Sequence, residues 1–340
     1  MQINLENKLV AQVLAGIVLL GAGIFLGRYF SKQQPLPGLG TAPSNTVIRE
    51  GIGKYTNPLL ECDQTQAEFV ELKPFKDKIS EAVSYLEQDR EVPAVSVYFR
   101  DMNNGPWFGI NSEATFSPAS LLKLPLAVAY YKLNERTPGI MQKTITYKGP
   151  DSSWPAIIQT IPPKQSLQAG QVYSIEELIR RMLSYSDNLS YYILFSNIQP
   201  EDLQQVYSDF NLNLNGPGAA DDSTVTVKGY SSFFRILYNA SYLNQQDSEK
   251  VLSLLAGSDF NQGLADGVPA NVSVAHKFGE RELDGSPLDQ IHDCGIVYYP
   301  THPYLLCVMT QGLNIDKQIS AIKQISSLVY QQVDTQAIGK

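Results

Sequence analysis

Apolar residues recur along the chain at two spacings, which together predict a mixed fold of helices and strands. Between 74 and 88 they stand at helical spacing and predict an amphipathic helix. The segment 94–100 is typical of a strand, and the turn signal over 103–106 leads into a second strand at about 107–110. The same patterns predict helices at about 119–134, 174–184, 188–198, 200–208, 230–239, 247–255 and 315–333, and strands at about 272–279, 292–299 and 303–311.

The order of these elements predicts how they assemble. A helix and two strands come first, a block of helices follows, and three strands and a helix end the chain. This order means that strands from both chain ends build one sheet, which we expect to be antiparallel, beside an all-helical subdomain. The predicted fold class is α/β in the broad sense, an α+β arrangement of three layers.

A further apolar pattern occupies the N-terminus. Residues 9–27 form a 19-residue stretch in which Gln12 is the clearly polar member. That length is sufficient for a helix to cross the apolar core of a bilayer. We therefore expect residues 1–30 to be a transmembrane anchor, and a cleaved signal peptide is the rival interpretation.

The segments after the apolar stretch divide the chain further. Residues 31–45 are rich in Pro, Gly, Gln and Ser and are expected to be a flexible linker. Residues 46–73 form an extension before the predicted domain, which covers residues 74–335. The expected arrangement is a single-pass protein of the cell membrane whose domain lies outside the cytoplasm.

Composition limits the partners of the protein. The 340 residues are 43% hydrophobic and 18% charged, so a sizeable core is available, and the formal net charge is −8. An acidic chain that has no basic cluster is not expected to bind nucleic acid.

The cysteines and histidines show no metal-ligand spacing, so neither a metal nor another cofactor is expected. The chain has three cysteines, so they cannot all pair with one another. If a turn lies at about 300–303, Cys294 and Cys307 are offset by about two positions on neighbouring strands, beyond usual disulfide reach. We therefore predict that both are buried thiols and that Cys62 is a free thiol.

Three short motifs follow one another and supply the candidate chemistry. Ser120 and Lys123 form Ser-x-x-Lys, Ser186 begins Ser-Asp-Asn, and Lys277 begins Lys-x-Gly. The two serines are 66 residues apart, and Lys277 follows Ser186 by 91 residues. Each motif is a weak signal alone, but their order, spacing and local contexts argue against coincidence.

These residue types suit acyl transfer by a serine. A serine hydroxyl needs a base to become a nucleophile, and residues three apart on a helix lie within side-chain reach. Ser120 precedes an apolar helical run, so free backbone N–H groups at the helix start favour a developing oxyanion. Lys123 can act as the base if burial or a second cation, Lys277, lowers its pKa. Ser186 can pass a proton to the leaving group, and Asn188 can bind a substrate amide.

From about residue 75 to residue 329 the chain resembles class A β-lactamases and their penicillin-binding relatives. The three motifs carry this resemblance, together with the strand 94–100, the run from Phe116 to Ser120 and the two strands after Lys277. It implies a β-lactamase/transpeptidase-like fold and, as substrate, a β-lactam or a peptidoglycan stem peptide. The implied roles are nucleophile for Ser120, general base for Lys123, proton shuttle for Ser186, substrate binding for Asn188, Lys277 and Gly279, and an oxyanion hole made by the N–H groups of Ser120 and Glu280.

The third motif departs from the family pattern. The family usually has a Thr or Ser there, whose hydroxyl binds the substrate carboxylate, and Phe278 stands in its place. A phenyl ring donates no conventional hydrogen bond, and Glu280 adds a negative charge beside the site. These substitutions weaken any function that needs a free carboxylate on the substrate.

The second departure concerns deacylation. Class A β-lactamases orient the hydrolytic water with a glutamate that lies between the second and third motifs. Its usual Glu-x-x-Asn pattern is missing between 188 and 227. Glu201 and Asp202 follow a proline and are expected in the first turn of a helix. Asp221 and Asp222 lie closest to the expected loop and are the remaining candidates for the base.

Three function classes remain open from the sequence. The first is a D,D-peptidase-like serine hydrolase that is tethered outside the membrane, forms an acyl-enzyme through Ser120 and deacylates slowly. The second is a class A β-lactamase, which the missing glutamate pattern disfavours. The third is a non-catalytic cell-wall-binding module on the same fold, which the intact first and second motifs disfavour.

Overall fold

The computed structural model describes residues 53–58, 72–88, 90–103, 105–150, 159, 161–212, 214, 223–282 and 286–338. Within these ranges no helix is both long and apolar enough to cross a bilayer. The predicted anchor over 1–30, the predicted linker over 31–45 and Cys62 lie outside them.

The main sheet joins the two ends of the domain, as the element order predicts. Its five antiparallel strands are β1 (Ala94–Asp101), β2 (Trp107–Ile110), β5 (Val274–Glu282), β6 (Asp289–Val297) and β7 (Tyr304–Gly312). They lie in the order β2, β1, β7, β6, β5. β1 from the first half of the domain pairs with β7 from its last part along its whole length, from Ala94 opposite Gln311 to Asp101 opposite Tyr304.

Helices cover both faces of this sheet and give the three predicted layers. On one face lie α1 (Lys73–Glu87) and α8 (Ile315–Ile338), and α1 directs Phe75, Ile79 and Val83 into the core. The other face carries the helical block: α2 (Lys123–Arg136), α3 (Ile175–Ser184), α4 (Asn188–Ser196), α5 (Pro200–Asp209), α6 (Val227–Tyr238) and α7 (Gln245–Ala256). The three motifs lie between the sheet and this block.

A small second sheet was not predicted from the sequence. It pairs β3 (Thr144–Thr146) with β4 (Val172–Ser174), three residues each. Strands this short carry too few alternating positions to give a period-two signal. β4 leads directly into α3, which ends just before the second motif.

The prediction for Cys294 and Cys307 was wrong. The two residues lie directly opposite each other on β6 and β7 and form a disulfide bond. The predicted offset of about two positions came from placing the turn at 300–303. Because the strands begin and end differently from that estimate, the two side chains are cross-strand partners on the face that carries the motifs.

Part of the extension that precedes the domain is bound to the helical block. The carboxylate of Glu249 on α7 accepts hydrogen bonds from the backbone N–H groups of Tyr55 (2.8 Å) and Thr56 (2.9 Å) and from the Thr56 hydroxyl (2.9 Å). Tyr298 donates its hydroxyl to the carbonyl of Tyr55 at 2.9 Å. Residues 53–58 are therefore part of the folded body and not of a free linker.

Candidate active site

Ser120 lies in a short turn that leads into α2. The turn is a 3₁₀ helix, Ala119–Leu122, and the α-helix follows it at Lys123. Ala119 has φ of +49°, which an alanine rarely adopts; such strain costs about 1–3 kcal/mol and is concentrated at functional sites. The turn leaves Ser120 partly exposed at the start of a helix, where backbone N–H groups have no intrahelical acceptor.

The amino group of Lys123 lies at the centre of the site. The residue is 2% exposed, and its Nζ is 2.8 Å from the Ser120 Oγ. The same nitrogen lies 2.6 Å from the Ser186 carbonyl oxygen, 3.0 Å from the Ser186 Oγ and 2.6 Å from the Asn188 Oδ1. The structure thus brings the first and second motifs together, as the sequence predicts.

The surroundings of Lys123 favour its neutral form. Burial, and then the nearby ammonium of Lys277, lower the pKa of Lys123 well below its ordinary value. A neutral amine has two N–H donors and one lone pair. The Ser186 carbonyl and the Asn188 Oδ1 only accept, so they take the two donors. The lone pair is left for a hydroxyl, and that of Ser120 (2.8 Å) is nearer than that of Ser186 (3.0 Å). A lone pair that accepts from Ser120 is the arrangement that a general base requires.

The second motif is held in a tight turn between α3 and α4. Ser186 has φ of +52°, a second strained position in the site. Asp187 is the N-cap of α4, because its carboxylate accepts from the backbone N–H groups of Leu189 and Ser190. Asn188 is the first residue of that helix. The cap and the strained turn together direct the side chains of Ser186 and Asn188 towards Lys123.

Lys277 approaches the same serine from the sheet. Its Nζ donates to the Ser186 Oγ at 2.9 Å and to the Phe278 carbonyl at 2.8 Å. Burial lowers the pKa of Lys277 to about 7, while the carboxylates of Asp293, Asp259 and Glu280 act in the opposite direction. Ser186 therefore lies between two buried lysines, each within hydrogen-bond distance of its hydroxyl.

Phe278 belongs to the core on the α8 side of the sheet. Its ring stacks on Phe260 with the centroids 4.1 Å apart, and the residue is 3% exposed. The Lys277 Nζ lies 4.2 Å from the ring centroid, close enough for a cation–π contact. A ring buried in this way supplies shape and packing to the third motif, and no hydroxyl.

Gly279 allows β5 to touch the turn that carries Ser120. A Cβ at this position would lie 3.1 Å from the Leu121 Cγ, 3.2 Å from the Leu121 nitrogen and 3.2 Å from the Pro118 carbonyl oxygen. A side chain would thus separate the strand from the turn. The close contact brings β5 against the turn that carries Ser120. The oxyanion hole made by the N–H groups of Ser120 and Glu280 stays a prediction.

Three side chains of β5 and β6 hold Ser117, three residues before Ser120. Its N–H donates to the Gln290 Oε1 (2.9 Å), its carbonyl accepts from the His292 Nε2 (3.0 Å), and its hydroxyl accepts from Arg281 (2.8 Å). Burial lowers the pKa of His292 to about 4, so the ring is neutral at ordinary pH. We call these three residues the Ser117 clamp.

The sequence did not identify the Ser117 clamp. Gln290 and His292 are polar residues two apart in an otherwise buried strand, and that alternation was the available signal. It shows that both residues share a face. It does not show that the face meets Ser117, which depends on how β6 packs against the turn that carries Ser120.

A further contact connects the second and third motifs. Gln159 donates to the Ser186 carbonyl at 3.0 Å and accepts from the Asn188 N–H at 3.3 Å. Two residues later, the N–H of Ile161 donates to the Glu280 Oε1 at 3.0 Å. This segment therefore contacts both sides of the site, and no motif predicted it.

No group of three or more His, Cys, Asp or Glu side chains is placed to hold a metal within the described ranges. The buried carboxylate of Asp293 accepts from the His276 Nδ1 (2.8 Å) and from the Leu264 N–H (3.0 Å). This pair lies on the Phe278 side of the sheet and supports β5 from behind.

The candidate bases for deacylation are not assembled at the site in the described part of the chain. Glu201 and Asp202 lie in the first turn of α5, as predicted, and Asp202 pairs with Arg136. Asp221 and Asp222 lie outside the described residues.

Comparisons with known proteins bear on the family and the fold. The model of the beta-lactamase enzyme family matches residues 74–333. The solved structure of PBP-A is similar at 19% identity and a TM-score of 0.65, covering 78% of this chain and 97% of that one. A class A beta-lactamase from Mycobacterium abscessus is similar at 19% identity and a TM-score of 0.65, covering 75% and 99%.

A further similar structure is a leucine-to-glutamate variant of PBP-A, solved as an acyl-enzyme complex with penicillin G. It is 19% identical, with a TM-score of 0.63 and coverage of 78% of this chain and 97% of that chain. At such identities the solved structures show the shared fold alone. No curated protein matches the chain.

Proposed function

Since the chain belongs to the beta-lactamase enzyme family and is a serine hydrolase, we propose that it forms an acyl-enzyme through Ser120. The proposed acyl donors are β-lactams and cell-wall peptides of the D-Ala-D-Ala type. We also propose that the acyl-enzyme is hydrolysed slowly. The family places the chain among enzymes, so the choice lies between the peptidase-like and the β-lactamase functions.

One observation carries the proposal. A buried amine, the Nζ of Lys123, lies 2.8 Å from the hydroxyl of a partly exposed serine, and its pKa is lowered well below the ordinary value. A surface Ser-x-x-Lys pair would have a protonated lysine that cannot accept a proton. Burial makes this lysine a base, and exposure makes Ser120 accessible to a substrate.

The contacts support an acylation step in which each proton that leaves one group is taken up by another. The Ser120 Oγ bonds to the substrate carbonyl carbon while its proton moves to the Lys123 Nζ, and the N–H groups of Ser120 and Glu280 hold the oxyanion. When the C–N bond breaks, the leaving nitrogen takes the proton of the Ser186 hydroxyl. Lys123 restores that proton across 3.0 Å, while Lys277 donates to the same hydroxyl at 2.9 Å.

The proposed substrates follow from the relatives and from the site. The acyl-enzyme with penicillin G of the PBP-A variant supports β-lactams as acyl donors. Asn188 lies where it can bind an amide of either substrate class. Phe278 offers no hydroxyl, so we expect a substrate carboxylate to be bound less well than in relatives that have Thr or Ser at this position.

Slow deacylation is proposed because the Glu-x-x-Asn pattern, whose glutamate activates the hydrolytic water in class A enzymes, is missing between 188 and 227. Among the described carboxylates, Glu280 borders the site, and one of its oxygens already accepts the Ile161 N–H at 3.0 Å. Asp202 is paired with Arg136 on the surface. Neither of these two described carboxylates is a dedicated partner for a hydrolytic water of the kind that class A enzymes supply.

The β-lactamase function is the second candidate. The complete network of Ser120, Lys123, Ser186, Asn188 and Lys277 supports it, because such a network suits efficient acylation. Rapid hydrolysis would make Asp221 and Asp222 the first residues to substitute, since they lie closest to the expected loop.

We also propose that the domain works outside the cytoplasm. The Cys294–Cys307 disulfide supports this location, because such bonds persist in oxidising compartments and are rare in the cytosol. The 19-residue apolar stretch over 9–27 supports a membrane anchor.

The test is covalent labelling of the full-length protein with a fluorescent penicillin, followed by intact-mass spectrometry. We expect one adduct per chain, on Ser120, and a label that persists after free penicillin is removed. Ser120→Ala protein should carry no label, and Lys123→Ala should acylate about 10²–10⁴-fold more slowly. An adduct of unchanged size on Ser120→Ala would refute the assignment, and rapid loss of the label would favour the β-lactamase function.

A further inference from the structure

A cavity of about 490 Å³ opens in the helical block away from Ser120. Its walls come from α2, the start of α3, α7 and the bound extension, which contributes Lys54 and Tyr55. Tyr131 lines it, eight residues beyond Lys123 on α2 and therefore about 12 Å further along the helix axis. None of the motif residues lines this cavity, so it is separate from the active site.

Two polar atoms that line the cavity have no hydrogen-bond partner in the described part of the chain. They are the hydroxyl of Tyr131, a residue that is 3% exposed, and the Oδ1 of Asn134. Buried polar groups are nearly always paired, so such atoms need an explanation. The neighbouring Tyr130 shows the usual situation, because its hydroxyl donates to the Leu194 carbonyl at 2.7 Å.

The charges around the two atoms favour a cation. Three carboxylates line the cavity, those of Glu176, Asp247 and Glu249, against the two ammonium groups of Lys54 and Lys250. Burial first, and then the negative charges of Glu176 and Asp247, raise the pKa of Tyr131. Lys250 is already paired with Glu176 at 3.1 Å.

We propose that this cavity binds a small organic cation that donates several N–H hydrogen bonds, of the guanidinium or alkylammonium class. The Asn134 Oδ1 is an acceptor, and the Tyr131 oxygen accepts through its lone pairs. A guanidinium offers five N–H donors in a fixed plane and is weakly hydrated, so it matches several acceptors in a partly buried site. An anion would meet the carboxylates, and an apolar ligand would leave both polar atoms unpaired.

The test titrates full-length protein with agmatine in an isothermal titration calorimeter. Agmatine carries a guanidinium at one end and an ammonium at the other. We expect saturable binding at one site per chain. Butylurea is the neutral control, because it keeps planar N–H donors without the charge, and it should bind at least tenfold more weakly. Protein already acylated at Ser120 should bind agmatine as well as free protein does, which keeps this test independent of the proposed function.

Tyr131 and Tyr130 provide matched variants. Tyr131→Phe removes the unpaired hydroxyl, so it should weaken agmatine binding about tenfold, the usual worth of a hydrogen bond to a charged group, without lowering the melting temperature of the ligand-free protein. Tyr130→Phe removes a hydroxyl that is already paired, so it should lower the melting temperature and leave agmatine binding unchanged.

Three results would overturn the proposal. They are the absence of saturable binding up to millimolar agmatine, equal affinity for agmatine in wild type and Tyr131→Phe, and equal affinity for agmatine and butylurea.

Discussion

Protonation of individual side chains is set by burial in this site. Lys123 and Lys277 both lie in the interior, and both lose basicity there. The spacing of Ser-x-x-Lys predicted that Ser120 and Lys123 meet on one helix. The resemblance to the family implied that the second and third motifs join them. The Ser117 clamp was missed because His292 and Gln290 reach Ser117 only through the packing of β6 on the nucleophile turn.

His292 should make stability depend on pH. Burial holds its pKa at about 4, below the ordinary 6.5, so the unfolded chain binds the proton more readily. The contribution of the neutral His292 ring to the free energy of unfolding is complete above pH 6.5 and is lost as the pH falls towards 4. The difference corresponds to about 3 kcal/mol of unfolding free energy.

The measurement compares urea unfolding of wild type and His292→Gln at pH 7 and pH 4. Glutamine keeps an N–H donor for the Ser117 carbonyl but does not titrate, so the variant should lose about 3 kcal/mol less than wild type between the two pH values. Acylation by penicillin should be retained by His292→Gln and reduced by His292→Leu, which has no donor. Equal pH dependence in wild type and His292→Gln would contradict the prediction.

Phe278 should discriminate between substrates by its missing hydroxyl. Phe278→Thr restores a hydrogen bond to a carboxylate, worth roughly 1.5–3 kcal/mol, and should raise acylation by penicillins about 10–150-fold while leaving neutral esters nearly unchanged. The variant should also melt at a lower temperature, because the ring stacked on Phe260 is lost. Stopped-flow acylation with both substrate classes makes the measurement.

Phe278→Leu is the control for Phe278→Thr, since it removes the ring and adds no hydroxyl. It should not raise penicillin acylation. Equal effects of Phe278→Thr on both substrate classes would mean that Phe278 acts through shape.

At the scale of the element, hydrophobic periodicity predicted the helices and the sheet strands well, because most are long enough to show their period. β3 and β4 were missed because they have three residues each. The register of β6 on β7 was predicted wrongly. Moving the centre of a hairpin turn by one residue changes every cross-strand partner by two positions, so periodicity cannot fix which cysteines meet.

The disulfide should stabilise the sheet that carries Lys277, since Lys277 lies opposite Cys294 on the adjacent strand. The bond closes a loop between residues 13 apart in sequence, for which chain entropy gives about 3 kcal/mol. Urea unfolding of the double variant Cys294→Ala/Cys307→Ala should show a loss of this size. Reductant should lower the stability of wild type and not that of the variant; equal stability of oxidised and reduced wild type would contradict the prediction.

At the scale of the whole molecule, the sequence predicted the three-layer architecture, with one sheet built from both chain ends. The element order predicted this sheet and the helical block beside it, and the resemblance to the family implied the rest of the arrangement. The binding of residues 53–58 to Glu249 was not predicted, since a single carboxylate that accepts backbone N–H groups leaves no pattern in the sequence.

The proposed location predicts a protease result. Any outer membrane of the cells is first made permeable, and protease is then added. The protease should cut near 31–45 and release the intact domain. Residues 53–58 should remain with the released domain, because Glu249 binds them. Mass spectrometry of the released fragment makes the measurement. A domain protected until the inner membrane is lysed would contradict the proposed location.

The pairing of β1 with β7 has a consequence for biosynthesis. β1 leaves the ribosome early, yet one of its two neighbours, Tyr304–Gly312, is made near the end of the chain. Until then the growing chain holds an apolar strand with one open edge, which is a template for aggregation. Because such long-range pairing is slow, the sheet completes only after synthesis has nearly finished. Under the proposed location, that delay keeps the polypeptide unfolded while it is threaded through an export channel.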